Sequence, residues 1–106
     1  MGGGITSPFF SRSSKNCREL VIKTQLYSPN PEILKLISIG DELSIVIQSS
    51  TGPCVAIYKR EIAGTIISKE LFSLIACITE GEQFVGVVRT ISGGHCAITI
   101  INQLVR

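Results

Sequence analysis

Four cysteines and a single histidine are the side chains most able to carry covalent or metal chemistry. The cysteines are Cys17, Cys54, Cys77 and Cys96, separated by 37, 23 and 19 residues, with no CxxC pair among them. Zinc sites usually contain such close pairs, so the spacing argues against a metal site. Three of the four lie within apolar runs, where cysteine acts as a small hydrophobic residue. We interpret the four as reduced thiols, with a disulfide as the alternative, and expect no metal.

The histidine, His95, follows Gly93-Gly94 at the start of a predicted strand. Adjacent strand residues point to opposite faces, so His95 and Cys96 cannot form a nucleophile and base pair. A Cys-His enzyme would need a distant cysteine, such as Cys17 or Cys54, folded against His95. Acidic residues lie singly or at turns, and neither a GxGxxG motif nor a P-loop occurs. We therefore expect no catalytic residue, no cofactor site and a protein that is not an enzyme.

One group of side chains could form a binding surface. Tyr58 stands beside Lys59 and Arg60, and Arg89 is a further cation in a later strand. An aromatic ring next to cations is the minimum for stacking a base and holding a phosphate of a single-stranded nucleic acid. The alternative for Tyr58, Lys59 and Arg60 is a solvated hairpin tip.

The elements that position these residues follow from periodicity and turn chemistry. Apolar residues alternate with period two in most of the predicted strands, and Asn30-Pro31 and Ser68 are typical of helix N-termini. Gly93-Gly94 predicts a two-residue hairpin turn. The predicted strands cover residues 20–26, 43–47, 54–58, 62–67, 84–91 and 96–102, and the helices begin after Asn30, ending near Ile37, and after Ser68, ending near Ile78.

The order β-α-β-β-β-α-β-β predicts a mainly β fold with two short helices. Six short strands with short turns favour a small curled antiparallel sheet or barrel, with the helices at its ends. Residues 17–106 suit one small β-barrel-like domain, because 106 residues leave no room for a second core. Residues 1–16 are rich in Gly and Ser and predict a flexible N-terminal arm or a partly artificial leader.

Charge and hydropathy limit the class of partner. Residues 17–106 contain eight Lys or Arg and eight Asp or Glu, so the net charge of +2 comes from Arg12 and Lys15. A neutral body lacks the broad basic face of a non-specific nucleic-acid binder. With 44% hydrophobic and 17% charged residues, and no run of about 18 apolar residues, the apolar surplus predicts self-association rather than a membrane span. Reduced cysteines and no secretion signal favour a cytoplasmic location.

The order of features in residues 40–91 resembles that of the HIRAN domain. Gly40-Asp41 opens a strand, residues 55–58 read VAIY, and Ala63-Gly64 leads into a short strand before a helix at residues 69–78. The resemblance implies a small barrel related to the oligonucleotide-binding type, and some such domains bind the 3′ end of single-stranded DNA. Tyr58 is the one binding residue that it carries over. As a whole, the chain also looks like short bacterial or phage-associated proteins.

These observations lead to three functional hypotheses. The first is a non-enzymatic barrel that acts as a protein interaction or oligomerisation module, as a homo-oligomer or with a protein partner. The second is a module that binds single-stranded nucleic acid, specifically a DNA end, through Tyr58, Lys59, Arg60 and Arg89. The third is a Cys-His enzyme.

Overall fold

The computed structural model describes residues 17–49 and 52–105. The predicted N-terminal arm therefore lies outside the described residues. Residues 17–19 are helical, and the elements that follow are β1 (Val21–Tyr27), α1 (Pro31–Leu34), β2 (Glu42–Ile47), β3 (Cys54–Tyr58), β4 (Glu61–Ile66), α2 (Leu71–Thr79), β5 (Phe84–Ser92), β6 (His95–Asn102) and a 3-10 helix (Gln103–Val105). The predicted order of six strands and two helices is confirmed.

The six strands form one closed antiparallel barrel in the order β1-β4-β3-β2-β5-β6. β1 closes it, because Val21 pairs with Ile101 of β6 while Leu26 pairs with Ile66 of β4. A closed barrel leaves no sheet edge to pair with another chain. The predicted fold class, mainly β with a small barrel, is confirmed.

The core lies inside the barrel and consists of the side chains that point inward, which are every second residue of each strand. In β6, Cys96, Ile98 and Ile100 are at most 1% exposed, as the period-two pattern predicts. Ile22 of β1 and Leu43 of β2 are equally buried. Burial of each isoleucine or leucine contributes roughly 1.5–3 kcal/mol of transfer free energy, so the alternating pattern that sets the inward face also stabilises the barrel.

Two strand glycines allow the barrel walls to approach. A Cβ on Gly64 would lie 2.9 Å from Cβ of Leu26, and one on Gly86 would lie 3.0 Å from Cδ1 of Ile98. Both positions face inward, and Gly64 lies beside the register shift in the β3–β4 ladder. A larger residue at either position would therefore force a neighbouring side chain to move.

The helices lie against the barrel, and their termini partly follow the prediction. Asn30 caps α1, since its side chain accepts a hydrogen bond from the amide of Glu32 at 2.9 Å. The helix ends at Leu34 rather than near Ile37. Ser68 is not the N-cap of α2: that position belongs to Glu70, whose amide donates to Ser68 Oγ at 3.1 Å. The Ser68 hydroxyl shapes the turn that leads into the helix, so the helix begins later than predicted.

The β5–β6 hairpin turns through Gly93-Gly94, at φ of 56° and 81°. Two successive positive φ values match the right-handed twist of the strands and favour glycine at both positions. This prediction is confirmed. Within the described residues, no helix combines the length and the apolar character needed to cross a membrane.

A disulfide corrects the interpretation of all four cysteines as reduced thiols. Cys17 and Cys77 of α2 are bonded, with Cα atoms 5.6 Å apart, while Cys54 and Cys96 are free and buried. The separation of 60 residues hid the pair, because only the closed barrel brings residue 17 to α2. The disulfide therefore fixes the first described residue to the second helix.

A buried asparagine reinforces the same end of the barrel. Asn102 is fully buried, and its Nδ2 donates to the carbonyl oxygen of Cys17 at 3.2 Å and to Oε1 of Glu82 at 2.8 Å. Its Oδ1 accepts from the amide of Leu104 at 2.9 Å. Since a buried amide needs all its partners, Asn102 holds the segment at Cys17, the α2–β5 loop and the 3-10 helix in one arrangement.

Candidate functional site

The β3–β4 hairpin carries three of the four predicted binding residues. Tyr58 and Glu61 form the last ladder pair, which leaves Lys59 and Arg60 as a two-residue turn. Their φ angles are 48° and 75°. Residues with long side chains adopt this region at a cost of about 1–2 kcal/mol each. The turn thus exposes two cations on a strained backbone, at a place where glycine or asparagine is the usual choice.

Tyr58 is less available for stacking than its sequence context suggests. Its ring is half-buried against the core, and its Oη approaches the carbonyl oxygen of Leu36 at 3.5 Å. Lys59 Nζ lies over the ring, 5.3 Å from its centroid. A cation at this distance is attracted by the ring face. The core and Lys59 therefore cover part of the ring, which leaves less of its surface for a stacked base.

Arg89 lies apart from this turn. It belongs to β5, and β2 stands between β5 and β3 in the barrel order. Two strand spacings are about 10 Å. The Arg89 side chain instead reaches β6, where its Nε donates to Thr99 Oγ1 at 3.1 Å. The structure brings Tyr58, Lys59 and Arg60 together and places Arg89 in different surroundings.

Around Arg89 is a shallow depression that sequence reasoning missed. It has a volume of about 300 Å³, and its lining includes Lys23, Gln25, Ala97 and Thr99. Lys23 pairs with Thr99, and Gln25 with Ala97, across β1 and β6. The outward position of Lys23 in an alternating strand was readable from the sequence. Its proximity to Thr99 was not, because it depends on barrel closure between the first and the last strand.

A second feature is an outward face of the barrel without charged side chains. The outward residues of two cross-strand rows that are not buried, which we call the outer apolar face, are Val46, Thr65 and Tyr27 in one row and Ser44, Ile57 and Ile62 in the next. Val46 is 37% exposed and Ile62 is 40% exposed, whereas Val55, which also belongs to the first row, is only 1% exposed and offers no surface. Three of the six are apolar aliphatic residues, so a monomer leaves part of this face in contact with water.

The remaining thiols are poor nucleophiles. Burial raises the pKa of Cys54 to about 11 and also raises the pKa of Cys96. A reactive cysteine needs the opposite shift, since the thiolate is the nucleophile. His95 is exposed and Cys96 fully buried, so the two point to opposite faces of β6 as predicted. Cys17 and Cys77 are bonded to each other, so the free thiols among residues 17–49 and 52–105 are Cys54 and Cys96, and both are buried.

Metal binding finds no support in the described residues. Among residues 17–49 and 52–105, no three His, Cys, Asp or Glu side chains form a group that could hold a metal ion. Searches of protein-family models, curated proteins and solved structures with this chain find no match. The resemblance to the HIRAN domain therefore stays a prediction, and the function must be argued from the surface of the barrel.

Proposed function

We propose that this protein is a non-enzymatic binding module that pairs with a second copy of itself through the outer apolar face. The observation that carries the proposal is the composition of this face. Its six residues include no charged side chain, although 17% of the chain is charged. A depletion of charge at the centre of a patch is the signal of an interface core.

Self-pairing fits this face better than pairing with a charged partner. In a two-fold symmetric dimer the same patch lies on both sides, so any charge near the axis would face a like charge. The charged residues closest to the face stand at its margin, in the Lys59-Arg60-Glu61 segment and at Glu42. A neutral centre with a charged margin can meet its own copy without repulsion at the axis.

The size of the face indicates a weak dimer. Outward residues lie about 6.8 Å apart along a strand and about 4.8 Å apart across strands, so six of them cover roughly 200 Å² of sheet. A standard interface buries about 800 Å² per partner. Neighbouring loops must supply the rim, and we expect association that depends on concentration rather than an obligate dimer.

Molar mass measured by sedimentation equilibrium over a wide concentration range tests this proposal. The native protein should rise from the mass of one chain, 11.4 kDa, towards twice that value. The double variant Val46→Lys, Ile62→Lys should remain at the mass of one chain, because it places two like charges on each copy of the face. Phe72→Lys is the matched control, since Phe72 is 87% exposed on α2 and lies outside the face.

Two results would contradict the dimer. One is a native mass of a single chain at every concentration up to about millimolar. The other is dissociation by Phe72→Lys with no effect of the double variant, which would move the interface to α2. If the native protein is a monomer but binds a different protein, self-pairing is wrong and the protein remains an interaction module.

A second candidate function is binding of single-stranded nucleic acid at the Lys59-Arg60 turn. The positive φ angles of these two residues strain the backbone. This observation favours a binding role for the turn, because backbone strain that persists in a folded protein often lies at a functional site. Fluorescence anisotropy of a labelled single-stranded oligonucleotide is the measurement. The Lys59→Gln, Arg60→Gln variant should bind more weakly and reduce the slope of log K against log salt by about 1.4.

Lys35→Gln is the control for this second candidate, since Lys35 is an exposed cation already paired with Glu32 at 3.6 Å. Equal binding by both variants would remove the turn from consideration. Tyr58→Phe preserves the packing of the ring, and Arg89→Gln tests whether the distant cation takes part. Loss of binding in Arg89→Gln alone would place the nucleic acid on β5 and β6 rather than on the turn.

The predicted cytoplasmic location stays a prediction. It rested on reduced cysteines, and the Cys17–Cys77 disulfide is of a kind that persists mainly in oxidising compartments. Mass spectrometry after rapid alkylation of intact cells distinguishes a cytoplasmic location from an oxidising compartment. Cys17 and Cys77 alkylated in the cell would support the cytoplasm, and protection of both would support an oxidising compartment.

A further inference from the structure

We propose that the depression formed by Lys23, Gln25, Arg89 and Thr99 binds a phosphate group, either as the free anion or as part of a phosphate ester. The site lies outside the outer apolar face and outside the Lys59-Arg60 turn. Arg89 is the one residue that it shares with the predicted nucleic-acid surface. It does not depend on self-pairing. Three features suit an anion: the orientation of Arg89 in the sheet, the hydrogen-bond donors around it and the charge of the lining.

The backbone of β5 directs Arg89 towards the depression. Val88 pairs with Ile98 and Thr90 pairs with Ala97, so Arg89 is the extra residue of a bulge in the β5–β6 ladder. A bulge turns a side chain out of the regular alternation and often does so beside a binding site. Val88 remains fully buried, so the bulge frees Arg89 without opening the core.

The hydrogen bond to Thr99 then orients the guanidinium group. Arg89 Nε donates to Thr99 Oγ1 at 3.1 Å, which leaves the two terminal nitrogens to face a ligand. Two parallel N–H groups match two oxygens of a phosphate. Thr99 is itself only 7% exposed, so its hydroxyl is a fixed anchor. Because that oxygen accepts from Arg89, the hydroxyl proton is free to be donated to the same ligand.

The other lining residues complete a set of donors. Lys23 pairs directly with Thr99 across β1 and β6, so it lines the depression from the strand on the opposite side of the threonine from Arg89. Gln25 pairs with Ala97 and adds an amide donor, while the small side chain of Ala97 leaves room between the strands. Guanidinium, ammonium, hydroxyl and amide groups together suit an oxyanion.

The positive charge of the lining favours an anionic ligand. Lys23 and Arg89 line the depression and no carboxylate does. Among residues 17–49 and 52–105, neither cation forms an ion pair, whereas Lys35 pairs with Glu32. Since the body of the chain is neutral overall, two unpaired cations beside a buried hydroxyl form a local positive site. Its volume of about 300 Å³ is enough for one phosphate with a small substituent.

The test is a titration of ¹⁵N-labelled full-length protein with inorganic phosphate, followed by NMR, with sodium chloride adjusted to hold ionic strength constant. We expect saturable shifts at the amides of Ala97 and Thr99 and at Arg89 Nε. Arg89→Gln loses the charge-assisted contacts of the guanidinium group, and we expect the dissociation constant to rise at least about tenfold. Arg89→Lys keeps the charge and should recover part of the affinity.

Two further variants separate binding from general electrostatics. Thr99→Val removes the hydroxyl that orients Arg89 and leaves both cations, so a rise of about threefold in the dissociation constant is expected. Lys35→Gln changes the net charge by the same amount as Arg89→Gln and should leave the constant unchanged. Arg89 is exposed, and unchanged dispersion of the remaining amide signals verifies that Arg89→Gln is folded.

A short single-stranded thymidine oligonucleotide, used in a second titration, distinguishes the two sources of phosphate. Shifts at the same amides that weaken in Arg89→Gln assign the site to a phosphodiester. Shifts with inorganic phosphate but not with the oligonucleotide assign it to free phosphate or a small ester. Linear, unsaturable shifts with both probes, or equal affinity of the native protein and Arg89→Gln, would overturn the proposal. The molar mass of the same sample reports self-pairing independently.

Discussion

Removing the Cys17–Cys77 disulfide should destabilise the barrel strongly. The two cysteines are 60 residues apart, and a crosslink of this span removes about 14 cal/mol/K of chain entropy from the unfolded state. At 25 °C this corresponds to about 4 kcal/mol. Small domains are stable by about 5–15 kcal/mol in total, so the variant Cys17→Ala, Cys77→Ala should be folded only marginally.

Urea denaturation followed by circular dichroism measures this loss. With an m-value of about 1–2 kcal/mol/M, the midpoint should fall by about 2–4 M relative to the oxidised native protein. A reducing agent should lower the midpoint of the native protein by a similar amount. The double variant is its own control, because a reductant has no disulfide to act on there and should leave the midpoint unchanged.

Counting the free thiols checks the premise. Alkylation of the unfolded, unreduced protein should modify two cysteines, Cys54 and Cys96, and alkylation after reduction should modify all four. Four modified cysteines without reduction would show that the crosslink does not form. Equal midpoints with and without reductant, despite an intact crosslink, would refute the entropic argument itself.

Three further predictions concern the interior. Asn102→Ala should lower the free energy of unfolding by about 2–4 kcal/mol in urea denaturation, because it leaves buried partners unsatisfied; a loss below 1 kcal/mol would contradict the role of this side chain. Gly64→Ala should cost more than Gly86→Ala in the same assay, since the new methyl meets Cβ of Leu26 at 2.9 Å but only a mobile side-chain end at Gly86; the reverse order would refute this packing argument. Burial raises the pKa of Cys54 from 9.0 to about 11. The stability that the buried, neutral thiol contributes is therefore complete below pH 9, and about 2–3 kcal/mol of it is lost as the pH rises towards 11. The control Cys54→Val should lack this part of the alkaline loss, and an identical pH dependence in both proteins would contradict it.

Much of the fold was predictable because it is encoded locally. Period-two alternation in residues 96–102 identifies the inward residues, and the burial of Cys96, Ile98 and Ile100 agrees. The Asn30-Pro31 helix start and the Gly93-Gly94 turn depend on backbone preferences of single residues. Ser68 shows the limit of such reasoning, since a hydroxyl that suits an N-cap equally suits the turn that precedes one.

The candidate surfaces were predictable only in part. Tyr58, Lys59 and Arg60 are neighbours in the chain, so their proximity needed no tertiary information. Their backbone strain did, because the two-residue turn is set by the register of β3 and β4. Arg89 was assigned to the same surface from residue type, and the barrel order places it near Thr99 instead.

The sequence by itself determined the order of the six strands and two helices, the inward face of β1, β2 and β6, and the electrical neutrality of residues 17–106. These properties depend on residue type and on spacings of two to four positions. Only the tertiary structure decided which strands pair, that Cys17 meets Cys77, and that Lys23 and Arg89 flank one buried hydroxyl. The disulfide joins residues 60 positions apart, and Lys23 meets Thr99 because the first strand pairs with the last. They arise from closure of the barrel, which no local pattern specifies.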